Sequence, residues 1–284
     1  MRKFTKGLLI FALLLFVGGA GCMIAGFVMG ITSGDLTKAI KELPFIDFEN
    51  HIVITDDKIV ELPDLFENDG IGGSQSFDGN EVTSIEMDLN DVNCTIYETE
   101  KEQILVTTSD QSNVRIRLTA GVLHITKDVS AFGNDSDRME IYLPKDLSLE
   151  GFELQAGAGN IVIESPIHAR DISMEVGASS IRVNGKVTAE ILDVELGAGM
   201  LSLDLIEAED ISIENGAGQT ILGLAGQKDN YNVSIESAAG SVQYGGEAFA
   251  GVAKEYKSQP KDADKTIRIE SALGEVIVTF KEEI

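Results

Sequence analysis

Five glutamates, Glu175, Glu195, Glu214, Glu236 and Glu270, each stand two residues ahead of a glycine or alanine, and Gln155 holds the same place ahead of Gly157. Carboxylates repeated at one offset are the residues best placed to do chemistry, and a row of them is suited to collecting divalent cations or a cationic peptide. On neighbouring strands about 4.8 Å apart, two full charges repel by roughly 1 kcal/mol in water. The same row has a plainer use, since charge along a β face keeps molecules from pairing their sheets.

Other reactive residues are sparse. Of the histidines, His51 lies in a polar stretch, His124 alternates outward between Leu123 and Ile125, and His168 falls in a turn between repeats. None has the His-x-x-x-His, Glu-x-x-His or paired-Cys spacing of a zinc site. The carboxylate pairs Asp88 with Asp91, Asp135 with Asp137, and Glu207 with Glu209 and Asp210 read as solvated loop charges, so neither a metal nor a cofactor is expected. Cys22 and Cys94 are the only cysteines, and Cys94 falls in an inward position, where a thiol acts as a small apolar group. No G-x-S-x-G or phosphate-binding loop is present. Carboxylates on a β face can serve as acid and base toward sugars, which keeps a carbohydrate-active β-helix enzyme as an alternative. Against it, Trp is absent and the outward positions are acidic and small, leaving little to hold a sugar ring.

The glutamates belong to a repeat. The segments FELQAGAGNIVIE, ISMEVGASSIRVN, LDVELGAGMLSLD, ISIENGAGQTILG, VSIESAAGSVQYG and IRIESALGEVIVT align Gly157, Gly177, Gly197, Gly216, Ala238 and Ala272 at steps of 20, 20, 19, 22 and 34 residues. Apolar residues alternate on both sides of the small residue: Phe152, Ile172, Leu192, Ile211, Val233 and Ile267 before it, and Ile161, Ile181, Leu201, Thr220, Val242 and Val276 after it. Period-2 alternation in units near twenty residues predicts two strands per unit, stacked in parallel as the rungs of a β-solenoid, because one unit cannot cover its own apolar face. Thr220 is the lapse in these columns. A looser third segment runs through Ile167, Val187 and Leu205, and an earlier divergent rung fits Ile85, Met87, Asn90, Cys94 and Ile96. The segment AGVAKEYKSQPKDADK within the widest step reads as a solvated loop, with folding over the last rung as the other reading.

Residues 7–31 are uncharged and apolar, long enough to cross a bilayer as a helix, and follow Arg2, Lys3 and Lys6. The basic flank predicts a cytoplasmic N-terminus 1–6, a single transmembrane helix 7–31, a spacer 32–74 and an extracellular β-solenoid domain 75–284. Cleavage as a signal, or lipidation at Cys22, are the rival fates of this segment. The whole chain carries a net charge of −25, and −28 without the three basic residues ahead of the span (19 Lys and Arg against 47 Asp and Glu). So acidic a domain has no electrostatic means of holding nucleic acid.

The order of LTAGVLHIT, then MEIYLPKDLSLEGFELQAGAGNIVIE, then the Gly-Ala-Gly rungs resembles the bacterial putative-adhesin domain family of Gram-positive envelope proteins, over about seven tenths of the chain. The resemblance implies a β-solenoid and a noncatalytic surface role, with no catalytic or ligand residues to carry over. The expectation is an all-β, parallel β-solenoid behind one membrane helix, held in the cell membrane and facing outward. It acts as an adhesin-like or envelope-stress-sensing module on an envelope, glycan, cationic-peptide or membrane-protein ligand. A structural partner of another membrane protein is the further alternative.

Overall fold

The computed structural model describes residues 73–109, 114–128, 138–250 and 253–281. The expected membrane helix 7–31, the basic N-terminus and the spacer up to residue 72 lie outside them, with Cys22, His51, Asp135 and Asp137. Among the described residues the chain is all-β, broken only by two 3-10 turns. The strands are β1 (Gly73–Asp78), β2 (Ser84–Leu89), β3 (Val92–Thr99), β4 (Gln103–Thr108), β5 (Val114–Thr119), β6 (Val122–Lys127), β7 (Arg138–Pro144), β8 (Ser148–Ala156) and β9 (Gly159–Ile163). They continue as β10 (Ile167–Val176), β11 (Ser180–Leu196), β12 (Met200–Asn215), β13 (Gln219–Ala225), β14 (Tyr231–Ser237), β15 (Ser241–Tyr244), β16 (Glu247–Ala250), β17 (Lys254–Ser258), β18 (Lys265–Ser271) and β19 (Glu275–Lys281).

The repeat columns become physical columns. Phe152, Ile172, Leu192 and Ile211 stand side by side on parallel strands, as do Ile161, Ile181, Leu201 and Thr220. Ile181, Val194 and Leu203 are all buried. Each such side chain contributes about 1.5–3 kcal/mol through removal of apolar area from water, which offsets much of the ordering cost of its strand. At the corner between the two strands of a rung the backbone ladder continues, with Gly177 N–H donating to Ala156 and Gly197 N–H to Val176, both at 2.8 Å. A Cβ on Gly177 would lie 2.9 Å from the Gly157 carbonyl oxygen, which explains the small residue: a longer one would hold the rungs apart. Where the residue before the corner turns polar, it satisfies the turn. Ser237 and Ser271 donate to the carbonyls of Gly240 and Gly274, and the Asn215 amide donates to Gly218 and Glu275.

The early rung is confirmed, with Ile85 beside Phe152, Met87 beside Leu154, Cys94 beside Ile161 and Ile96 beside Ile163. The third segment needs one correction. Val187 is paired with Ile206, while Leu205 stands opposite Lys186 after a register shift, because this step of the repeat is one residue short.

Winding in sequence order holds from β8 to β13 and fails at both ends. The rung β18–β19 inserts between β12–β13 and β14–β15: Ile267 lies between Ile211 and Val233, and Val276 between Thr220 and Val242. At the other end, β2–β3 lies between β6–β7 and β8–β9. Two hairpins explain this. Ala120–Gly121 joins β5 to β6 and Gly245–Gly246 joins β15 to β16, each a two-residue turn with both φ positive, the geometry that matches strand twist. Such a turn places the adjoining strand directly alongside, so β5 takes one edge of β6 and β16 takes one edge of β15. A parallel rung then enters only on the remaining, inner side. The segment expected as a loop instead contains antiparallel β17, which covers β14, while antiparallel β16, ending at that segment's first residue Ala250, covers β15.

Two outcomes test this account. With Ser212→Cys and Arg268→Cys, which stand opposite each other on β12 and β18, oxidation joins the two strands. Ser212→Cys with Ser234→Cys, about two strand spacings apart, stays reduced; the reverse, scored by mass spectrometry, would show rungs in sequence order. The buried Thr220 hydroxyl has no hydrogen-bond partner among the described residues, so Thr220→Val raises unfolding free energy in urea by about 1 kcal/mol.

Candidate functional site

The glutamates share one outward column because all of them lie at the same register position of parallel strands. Glu175 is opposite Gln155 and Glu195, Glu195 opposite Glu214, Glu214 opposite Glu270, and Glu270 opposite Glu236. The spatial order thus exchanges Glu236 and Glu270 relative to the sequence. Two further carboxylates extend the row. Asp88 lies beside Gln155, and Glu255 on antiparallel β17 lies beside Glu236. Asp88 was legible, since it stands two residues before Asn90 in the early rung; Glu255 carried no repeat signal.

The next outward column mixes charge and hydroxyl: Glu86, Glu153, Ser173, Asp193, Ser212, Arg268 and Ser234 follow one another across the strands. Its cation is engaged elsewhere, with Arg268 bonded to Asp210 at 3.0 Å. Lys257 at the end strand holds Glu255 at 2.6 Å. Among the described residues no ion pair reaches Glu175, Glu195, Glu214 or Glu236. Desolvation first, then the charges of Glu270 and Asp193, push the Glu214 carboxyl above its ordinary value. Among the described residues no three carboxylate, imidazole or thiol groups gather at metal-binding spacing. The column is a row, suited to many-point attraction and not to caging one ion.

The other reactive residues are accounted for individually. Cys94 is buried, and burial pushes its thiol up to about 12, so it is a packing group and not a nucleophile. His124 faces outward and meets Glu86 at 2.8 Å. His168 is in strand β10, opposite Ser148 and Thr188, and not in a turn, because pairing along the third segment begins at Ile167. Glu207 is paired with Lys186 and Asp210 with Arg268, while Asp88 accepts from the Asn90 amide. An open hollow of about 640 Å³ lies over the corner stripe, lined by residues including Ala198, Ala217 and Leu273. Its one ionisable residue, Glu275, is bonded to Gln219 at 2.7 Å.

Burial and repulsion at Glu214 together have a pH signature. Because the folded state raises the Glu214 pKa, it binds the proton more readily than the unfolded chain, and stability rises as pH falls through the raised value toward the ordinary 4.5. Glu214→Gln is expected to stabilise the fold by about 0.5 kcal/mol at pH 7, the scale of one like-charged cross-strand pair, with the gain vanishing in acid. Urea titrations of both proteins at several pH values check it; a gain that persists in acid would assign the effect to packing.

No curated protein matches the chain. Among solved structures, a putative cell adhesion protein from Clostridium sporogenes ATCC 15579 is 14% identical, with 75% of this chain and 100% of that one covered at a TM-score of 0.35. A putative lipid binding protein from Parabacteroides distasonis ATCC 8503 is 11% identical, covering 75% and 96% with a TM-score of 0.41. A putative adhesin from Bacteroides fragilis NCTC 9343 is 14% identical, covering 74% and 97% with a TM-score of 0.35. The family model of Toastrack DUF4097 matches residues 82–281, a span that contains the early rung, LTAGVLHIT and all six repeats. The chain belongs to the Toastrack DUF4097 family.

Proposed function

We propose that this domain is a noncatalytic, adhesin-like surface module that binds an extended cationic ligand, such as a basic peptide, along its glutamate column. The observation that carries this reading is the unbroken run Glu175, Glu195, Glu214, Glu270 and Glu236 across five parallel strands, in a chain of net charge −25. Every carboxylate in the run raises the repulsion felt by its neighbours, and a polycation lying along the row relieves all of those terms together. Residues 7–31 serve as the membrane span, with the C-terminal domain outside the cell, where bilayer and envelope polymers are its surroundings. In that position an occupied column reports or retains envelope material, which joins the adhesive and stress-sensing roles to one contact surface. Nucleic acid is not a partner of so acidic a surface.

Calorimetry with a lysine-rich peptide tests the reading. Binding is expected to weaken steeply with salt, and Glu195→Gln with Glu214→Gln is expected to lower affinity about tenfold, equivalent to 1.4 kcal/mol. Unchanged affinity in that double variant would overturn the assignment.

A further inference from the structure

Among the described residues four strands have one edge without a strand partner: β1, β5, β16 and β17, paired only with β4, β6, β15 and β14. An open edge is a template for another strand unless something blunts it. Three of the four are blunted. Strand β5 carries Arg115 and Arg117, β17 carries Lys254, Glu255 and Lys257, and β16 has four residues that open on Glu247 directly after the Gly245–Gly246 turn. Strand β1, with the sequence GSQSFD, has no Lys, Arg or Pro, and its single charge is its last residue, Asp78. All six of its residues pair with β4 in unbroken register, so no bulge turns its outer edge away.

We propose that two copies of this chain associate through the outer edges of β1, antiparallel about a two-fold axis. Three observations favour a second copy as the occupant. First, the edge is electrically neutral over five residues of a molecule whose net charge is −25, so β1 is where two such molecules approach with least local repulsion. Second, the glutamate column lies in the row of strands β8, β10, β11 and β12, whereas β1 continues the row β4, β7, β3 and β9, so strand pairing here does not add one column to the other. Third, Phe77 is half-buried against the apolar core at the end of its row, with no further strand beyond it among the described residues. A partner β1 covers that ring. Antiparallel self-pairing closes after two copies, while joining β1 to a β16 edge would propagate without closing.

Ser74 and Ser76 are exposed and alternate with Phe77, on the face of β1 away from the core. Lysine at both positions sets like charges across the axis without touching the interior. The experiment measures the mass of the full-length chain in detergent by light scattering over a concentration series, for the wild type and for Ser74→Lys with Ser76→Lys. The expected result is a concentration-dependent dimer that added salt strengthens, weakened about tenfold or more in the lysine variant, with an unchanged melting curve. A wild-type monomer at every concentration would overturn the proposal, as would a lysine variant that dimerises equally well, which would place the contact in residues 7–31 or at another edge.

Discussion

A strand has two edges, and in a parallel stack every edge is either given to a neighbouring rung or closed by something else. That constraint orders this domain. The short turns Ala120–Gly121 and Gly245–Gly246 occupy the outer edges of β6 and β15 with strands of opposite direction, and so make those two rungs the ends of the stack. The rungs β2–β3 and β18–β19 then fill the inner places. Each end is closed by antiparallel strands, which convert the long parallel edge into short ones, three of them charged or only four residues long.

The same stacking dictates the surface. A parallel register places equivalent residues of every rung side by side, so a residue type repeated for any reason becomes a line. For the apolar positions the line is a continuous apolar core. For the glutamates it is a row of like charges about one strand spacing apart, whose repulsion is tolerated because the columns beneath supply far more than it removes. Partial burial first, then the charges of Glu270 on the next strand and of Asp193, hold the Glu214 carboxyl above its ordinary value. The proposed binding of a cationic ligand rests on the same repulsion that makes the column unfavourable in isolation.

The columns were legible because alternation of apolar residues has a period of two and the corner tolerates only small residues, both of which leave marks in the chain. Even the divergent rung at Ile85 to Ile96 lay in register. The exchange of the last two rungs was not legible from those columns. Val233 and Ile267 fill one column and Val242 and Val276 another, so the apolar pattern is equally satisfied in either order. The Gly245–Gly246 pair was the available signal, readable as a hairpin turn but submerged in a glycine-rich repeat. Leu205 misled for a smaller reason: the step from Gly197 to Gly216 is one residue short, and only the register shift reveals that Ile206 takes its place.

What the residues alone determined is which side chains face inward, which face water and that equivalent positions lie side by side, since these follow from strand period and from the need to bury apolar area. Which rung touches which, and therefore that Glu214 meets Glu270 and not Glu236, was decided only by tertiary structure. The reason is physical: burial depends on what a column contains, whereas adjacency depends on which strand edges the turns have already taken.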